Sequence, residues 1–140
     1  MSKKEIRQKY KEAEEARIPD GNRLLLICVN RTVADPDLNL IDAVRYSWRI
    51  SPDNAERADY VLAVAYGLIV GVFEPERPWL RAIKENFRGI PEHHANWERQ
   101  DGRYGFRALE APKRIENLYL YKRVPDNLRN HGSAFRYVGM

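Results

Sequence analysis

The residues with the most chemical content are three tryptophans set among arginines. Trp48 lies in "DAVRYSWRIS", residues 42–51, with Arg45 three residues before it and Arg49 directly after. Trp79 follows an apolar segment, and Trp97 stands in a polar stretch. Flat indoles lining a cleft can sandwich a base or a methylated group, while guanidinium forks nearby hold phosphates. The structural alternative is that all three are lids on the core, because each sits at or just after the end of a predicted element.

Other chemistry is poorly provided for. His93 and His94 are adjacent and would diverge on a helix, with no cysteine or carboxylate at a ligand spacing, so no metal site is predicted. Asp59, Glu74 and Glu76 resemble a metal-dependent nuclease cluster only superficially, since no lysine follows at a useful place, and they are predicted to be solvated carboxylates at strand ends. The single cysteine, Cys28, lies between Ile27 and Val29 and is predicted to be an inert core residue rather than a thiolate. No phosphate-cradling glycine loop and no Ser-His-Asp arrangement can be read. The expectation is therefore a binding protein without cofactor, metal or catalytic constellation.

Length and charge bound the rest. A chain of 140 residues fits one domain and can bury about two-thirds of its unfolded surface. One cysteine excludes an intrachain disulfide and fits a reducing compartment. No run approaches the roughly 20 apolar residues of a membrane span, and the N-terminus has no signal-peptide core, so a cytoplasmic protein is expected. Net charge is +4, unevenly spread: −2 over residues 21–79 and +5 over residues 80–140, with Arg supplying 17 of the 24 cations. Such a basic half suits a polyanion, although a solvated arginine-rich surface needs none.

The elements that must position these groups can be read in order. Residues 3–17 are predicted to form a solvated or loosely docked helix, with Ile6, Tyr10 and Ala13 on one face; residues 1–20 would be an extension to a domain over 21–140. "LLLICVN", 24–30, reads as a buried strand. Asp37 or Asn39 can cap a helix running from about Leu40 to Trp48, with Leu40, Ile41, Val44 and Trp48 on its apolar arc. Pro52 starts a short helical turn. "DYVLAVAYGLIVGVFEP", 59–75, reads as a hairpin turning at Gly67, with Gly71 permitting a bulge or close approach. A short helix is predicted at "PWLRAIKENF", and strands at "RYGFRALE", "NLYLYKRVP" and the tail "GSAFRYVGM". Together these predict an α+β domain with a curved sheet or a small, partly closed barrel flanked by short helices.

This order of pieces resembles the PUA-like superfamily, in particular its EVE and YTH branches: a strand ending in Asn, a helix running into a tryptophan with serine after it ("AVRYSWRIS"), a short helix, and a hairpin with Gly67 and Gly71. The chain is also similar to a family of small bacterial proteins over the segment Arg45 to Trp79, "RYGFRALEA" and "YLYKRVPDNLRNHGSAFRYV", a likeness that brings no activity with it. The YTH resemblance implies that Trp48 belongs to a cage for a methylated base, with Trp79 or Trp97 as the opposing wall.

The resulting expectation is a nucleic-acid-binding module, for DNA or RNA, that takes one flipped or modified base. Trp48 stacks on the base, Trp79 or Trp97 faces it, Asn30 and Ser51 bond its edge, and Arg45, Arg49, Arg103, Arg107, Lys122 and Arg123 hold phosphates. Two rivals stand beside it. One is a protein-interaction or defence-system accessory module that binds a protein partner through the hairpin edge or the N-terminal helix. The other is an enzyme acting on a small nucleotide, disfavoured for want of an acid/base pair.

Overall fold

The computed structural model describes residues 1–129 and 132–140; Asn130 and His131, inside the last segment that carries the family resemblance, lie outside the described residues. The protein is α+β. An open five-stranded mixed sheet is built from β1 (Leu24–Cys28), β2 (Tyr60–Ala65), β3 (Leu68–Pro75), β6 (Ala108–Glu110) and β7 (Phe135–Val138), in the order β6-β3-β2-β1-β7. A second sheet has two short strands, β4 (Leu80–Arg81) and β5 (Tyr104–Gly105). Among the described residues, five helices, α1 (Lys3–Glu12), α2 (Leu40–Arg45), α3 (Pro52–Ala55), α4 (Glu92–Ala95) and α5 (Lys113–Tyr119), flank them.

The three central strands follow from their composition. Every residue of β2 is buried, and β1 is buried from Leu24 through Ile27, as continuous apolar runs require when both faces are covered. β1 and β2 pair in parallel, and the chain between them crosses over through α2 and α3. β2 and β3 form the expected hairpin. Tyr66 and Gly67 both take positive φ, 50° and 82°, as a two-residue turn matched to strand twist demands. The register shifts between Ala63 and Val64, a bulge beside Gly71. A Cβ on Gly71 would lie 2.8 Å from both Leu40 and Phe73, so the glycine also lets α2 approach the sheet.

The principal core fills one face of the sheet. Leu25, Ile27, Val61 and Ala63 meet Ile6 of α1, Val44 of α2, Ala55 of α3, Trp79 and Phe106. The opposite face, from Leu24, Leu26, Leu62 and Val72, is covered by Ala16, Ile115, Tyr119 and Val124. A third cluster holds Tyr46, Ala82, Phe87, Ile90 and Ala95 under the second sheet.

Several local readings need correction. Helix α1 ends at Glu12 rather than near residue 17, because Glu14 and Ala16 give their backbone to Arg123. It is also docked, with Ile6 fully buried. Helix α2 stops at Arg45, where Tyr46 turns extended (φ −148°, ψ 133°) and drives its ring into the third cluster. Trp48 is therefore not helical but bridges Tyr104, with Trp48 N–H to Tyr104 O at 2.8 Å and the reverse at 2.9 Å. "PWLRAIKENF" contains β4 and turns instead of a helix. "RYGFRALE" is broken into β5 and β6. "NLYLYKRVP" is no strand: its first residues finish α5, whose Ile115 and Tyr119 sit four apart and face the second core, and Leu120 (φ −61°, ψ 129°) then turns extended.

Candidate functional site

A cleft of about 920 Å³ opens at the carboxyl ends of β1 and β2. Ligands of open sheets with parallel strands gather in this position, outside the carboxyl ends of the strands. One wall comes from the Ser47–Trp48 segment, which the Tyr104 bridge holds extended. The second comes from α4 and the 3₁₀ turn Trp97–Arg99 that follows it, and the third from Arg129 and residues 132–134. The floor is Cys28, Val29 and Asn30.

Trp48 is half-buried. Its ring packs against the principal core while lining the cleft, and its indole N–H donates to Val44 O at 2.8 Å, capping the end of α2. Around it the polar groups are tied to backbone. Ser47 Oγ donates to Gln100 Oε1, and Gln100 Nε2 donates to Ala95 O and Asn96 O, each at 2.9 Å. Arg103 Nη1 donates to Ser47 O at 3.1 Å. Asn30 Oδ1 accepts from Tyr66 N–H at 2.8 Å, which fixes its amide orientation at the end of β1. Tyr46 is fully buried behind this wall, and its hydroxyl donates to Ala95 O. Burial pushes the Tyr46 pKa up to about 12 against the opposing pull of Arg103, so the phenol stays neutral and remains a donor.

The electrostatics are one-sided. Arg31, Arg99, Arg103 and Arg129 line the cleft together with His93 and His94, and no Asp or Glu is among the described lining residues. Among the described residues none of these four arginines has a carboxylate within ion-pair distance: the ion pairs are Arg23–Asp59, Arg45–Asp42, Arg77–Asp59, His93–Asp35 and Lys113–Glu116. At the rim His93 Nε2 lies 2.9 Å from Asp35 Oδ2, and the hydrogen bond holds the Asp35 carboxyl below its usual pKa. A cationic concavity with low-dielectric walls concentrates anions.

The structure brings together only part of the sequence-predicted set. Asn30, Trp48 and Arg103 meet in the cleft. Trp79 does not: it is 5% exposed and packed at 4.8 Å, tilted by 46°, against Phe106 in the principal core. Trp97 packs edge-on against the back of Tyr46 (5.3 Å) and borders a smaller hollow of about 440 Å³ with Phe87 and Ile90, so Tyr46 separates it from Trp48. No second tryptophan faces Trp48 across the cleft. Ser51 caps α3 through its side chain and is absent from the cleft lining. Arg45 is consumed by Asp42 (2.8 Å) and Arg88 O, against the Phe87 ring. Arg49 and Arg107 are exposed but lie outside the cleft lining. Lys122 and Arg123 lie on a shoulder beside the hairpin turn, where Arg123 Nε donates to Ala13 O at 3.0 Å.

Sequence reasoning missed Arg31, Arg99, Gln100 and Arg129. Arg31 had a readable signal, since it follows the end of a strand whose next strand is reached through helices, the pattern of a parallel pair. The others lie in segments without periodicity. Cys28 also differs from expectation: it is half-buried and borders the cleft at the carboxyl end of β1.

Comparison with protein families, curated proteins and solved structures finds no match to this chain. Among the described residues, no group of three or more His, Cys, Asp or Glu is placed to hold a metal ion, and no helix is long and apolar enough to cross a membrane.

Proposed function

We propose that the cleft binds nucleic acid by taking one base against Trp48 while its arginines hold the adjoining phosphates. The observation that carries this reading is the set of four arginines without carboxylate partners around a half-buried indole. An arginine without a carboxylate partner keeps its charge available to phosphate, and Arg103, which spends one N–H on Ser47 O, retains its other donors. The indole supplies a stacking face that any base can use. Asn30, held by Tyr66, is positioned to read a base edge with its remaining amide donors. Extruding a base costs a few kcal/mol, which stacking of about 1–3 kcal/mol and the phosphate contacts offset.

With the cage reduced to one tryptophan, the remaining walls mix Ser47, Gln100 and Asn30 with Val29, Tyr46 and Val64. This favours recognition by hydrogen bonding at the base edge over an all-aromatic grip on a methyl group. The strand–helix–short helix–hairpin order supports reading the α+β fold as a PUA-like variant with an open sheet.

The test is a screen of methylated and unmodified oligonucleotides, single- and double-stranded, against the wild-type protein and Arg99→Ala/Arg129→Ala. Binding by the wild type, weakened in the variant for all sequences alike, is the expected result. Absence of binding by the wild type, or undiminished binding by the variant, overturns the proposal and leaves the protein-interaction module in its place.

A further inference from the structure

The cleft does not end at its floor. Gly67, in the turn of the β2–β3 hairpin, borders it, and beyond that turn cations lie against the rings of Tyr10, Tyr66 and Tyr121. A Cβ on Gly67 would lie 2.8 Å from the Arg129 guanidinium carbon and 3.0 Å from the Tyr10 ring, so Arg129 of the cleft and Tyr10 of α1 meet over the bare glycine. The Arg123 guanidinium stands 5.8 Å from the same Tyr10 ring. Tyr66 links the two regions directly: its hydroxyl donates to Asn30 O at 3.3 Å, and Lys3 of α1 lies 4.9 Å over its ring. Farther along, Lys9 lies 4.7 Å over the ring of Tyr121, which is 42% exposed.

Helix α1 is itself basic. "KKEIRQKYKE" carries five cations against two carboxylates. Ile6 is buried and Lys3 and Lys9 are exposed, so the helix is anchored by its apolar side and presents lysines beside the hairpin. Ten residues give it a length of about 15 Å. Tyr121 is exposed and Tyr10 and Tyr66 are half-buried, and a basic surface interleaved with such rings suits a flexible, unpaired strand: phosphates follow the cations and bases stack on the accessible ring faces. A rigid duplex would leave the rings unused.

We infer that the occupant is a single-stranded polynucleotide, which runs from the cleft across the Tyr66–Gly67 turn and onto α1, so that the N-terminal helix is part of the binding surface. This rests on the cleft reading above and extends it to polymer length and strandedness. It predicts that affinity rises with length once a strand outgrows the cleft, and that the extra affinity belongs to Lys3, Lys9 and Tyr121.

The experiment compares single strands of about four and about sixteen nucleotides, the span of known single-strand site sizes. Wild type, Lys3→Ala/Lys9→Ala and Tyr121→Ala are measured in parallel, with circular dichroism confirming that each is folded. In the wild type the long strand should bind more tightly per protein than the short one and than a duplex of equal length. Lys3→Ala/Lys9→Ala should erase that advantage and reduce the salt slope by about 1.4, at about 0.7 per lost phosphate contact, with short-strand binding unchanged. Tyr121→Ala should weaken the long strand without altering the slope. Equal affinity for both lengths, preference for the duplex, or variants that keep the full length advantage would overturn the inference. Loss of short-strand binding in Arg99→Ala/Arg129→Ala tests the cleft separately, so failure of one reading does not mimic failure of the other.

Discussion

Replacing Trp48 separates its two roles, and the structure sets the size of each. The ring is half-buried against the principal core, and its N–H satisfies Val44 O at 2.8 Å. Full truncation of a buried large aromatic costs about 3–5 kcal/mol. Trp48 keeps one side in the cleft, so Trp48→Ala should lose about 2–3 kcal/mol of stability, including roughly 1 kcal/mol for the indole hydrogen bond. Trp48→Phe keeps a ring and should lose about 1 kcal/mol, mainly that bond. Binding responds differently. Loss of stacking at about 1–3 kcal/mol per base corresponds to a weakening of roughly five- to 150-fold in Trp48→Ala, with Trp48→Phe in between. Urea denaturation measures the first quantity, and fluorescence anisotropy of a labelled single strand measures the second under conditions where each variant is folded. A folded Trp48→Ala protein that binds with wild-type affinity would refute the stacking role and leave Trp48 as a structural lid.

Trp79→Ala should cost about 3–5 kcal/mol because the ring is sealed in the core, while folded Trp79→Phe binds normally; reduced affinity in Trp79→Phe would contradict its assignment as a core residue. Gly67→Ala combines a φ of 82° with the clash against Arg129 and Tyr10, and should lower stability by about 1–2 kcal/mol in thermal denaturation while flattening the salt response through a displaced Arg129. The Asp59 carboxyl is held below its usual range first by its hydrogen bonds from Arg23, with Arg77 adding to the effect. A depressed carboxyl stabilises the fold above the unfolded value of about 3.9, and that contribution is lost as pH falls through the lower folded value. Asp59→Asn should therefore be less stable than wild type at neutral pH and lose stability less steeply in acid; parallel pH profiles would contradict this.

What could be read from the sequence divides along physical lines. The buried strands and the hairpin were legible because continuous apolar runs and the Tyr66–Gly67 turn are local signals. The start of α2 was legible to within two candidates, of which Asn39 is the cap, whereas Ser51, expected at a base edge, instead caps α3. Trp48 was read onto the apolar arc of a helix, whereas the Tyr104 bridge, a contact 56 positions away in sequence, holds it extended between core and cleft. The segment 117–125 misled because Leu118 and Leu120 alternate like a strand, while its first residues complete α5, where the helical spacing of Ile115 and Tyr119 decides the outcome against the second core. The cleft arginines were the least legible. Arg45 and Arg49 flank Trp48 in sequence, yet Arg103 supports its wall in space, because the second sheet delivers residue 103 to Ser47. Gly105 permits that approach, since a Cβ there would lie 2.2 Å from Arg45 O.

The central claim is that four arginines without carboxylate partners among the described residues make the cleft a phosphate site, and the salt dependence of single-strand binding tests it most directly. Each phosphate contact to a single strand contributes about 0.7 to the slope of log affinity against log salt. Four arginines predict a slope of at least about −2.8, reduced by about 1.4 in Arg99→Ala/Arg129→Ala. A flat response, or the same slope in both proteins, would contradict the account.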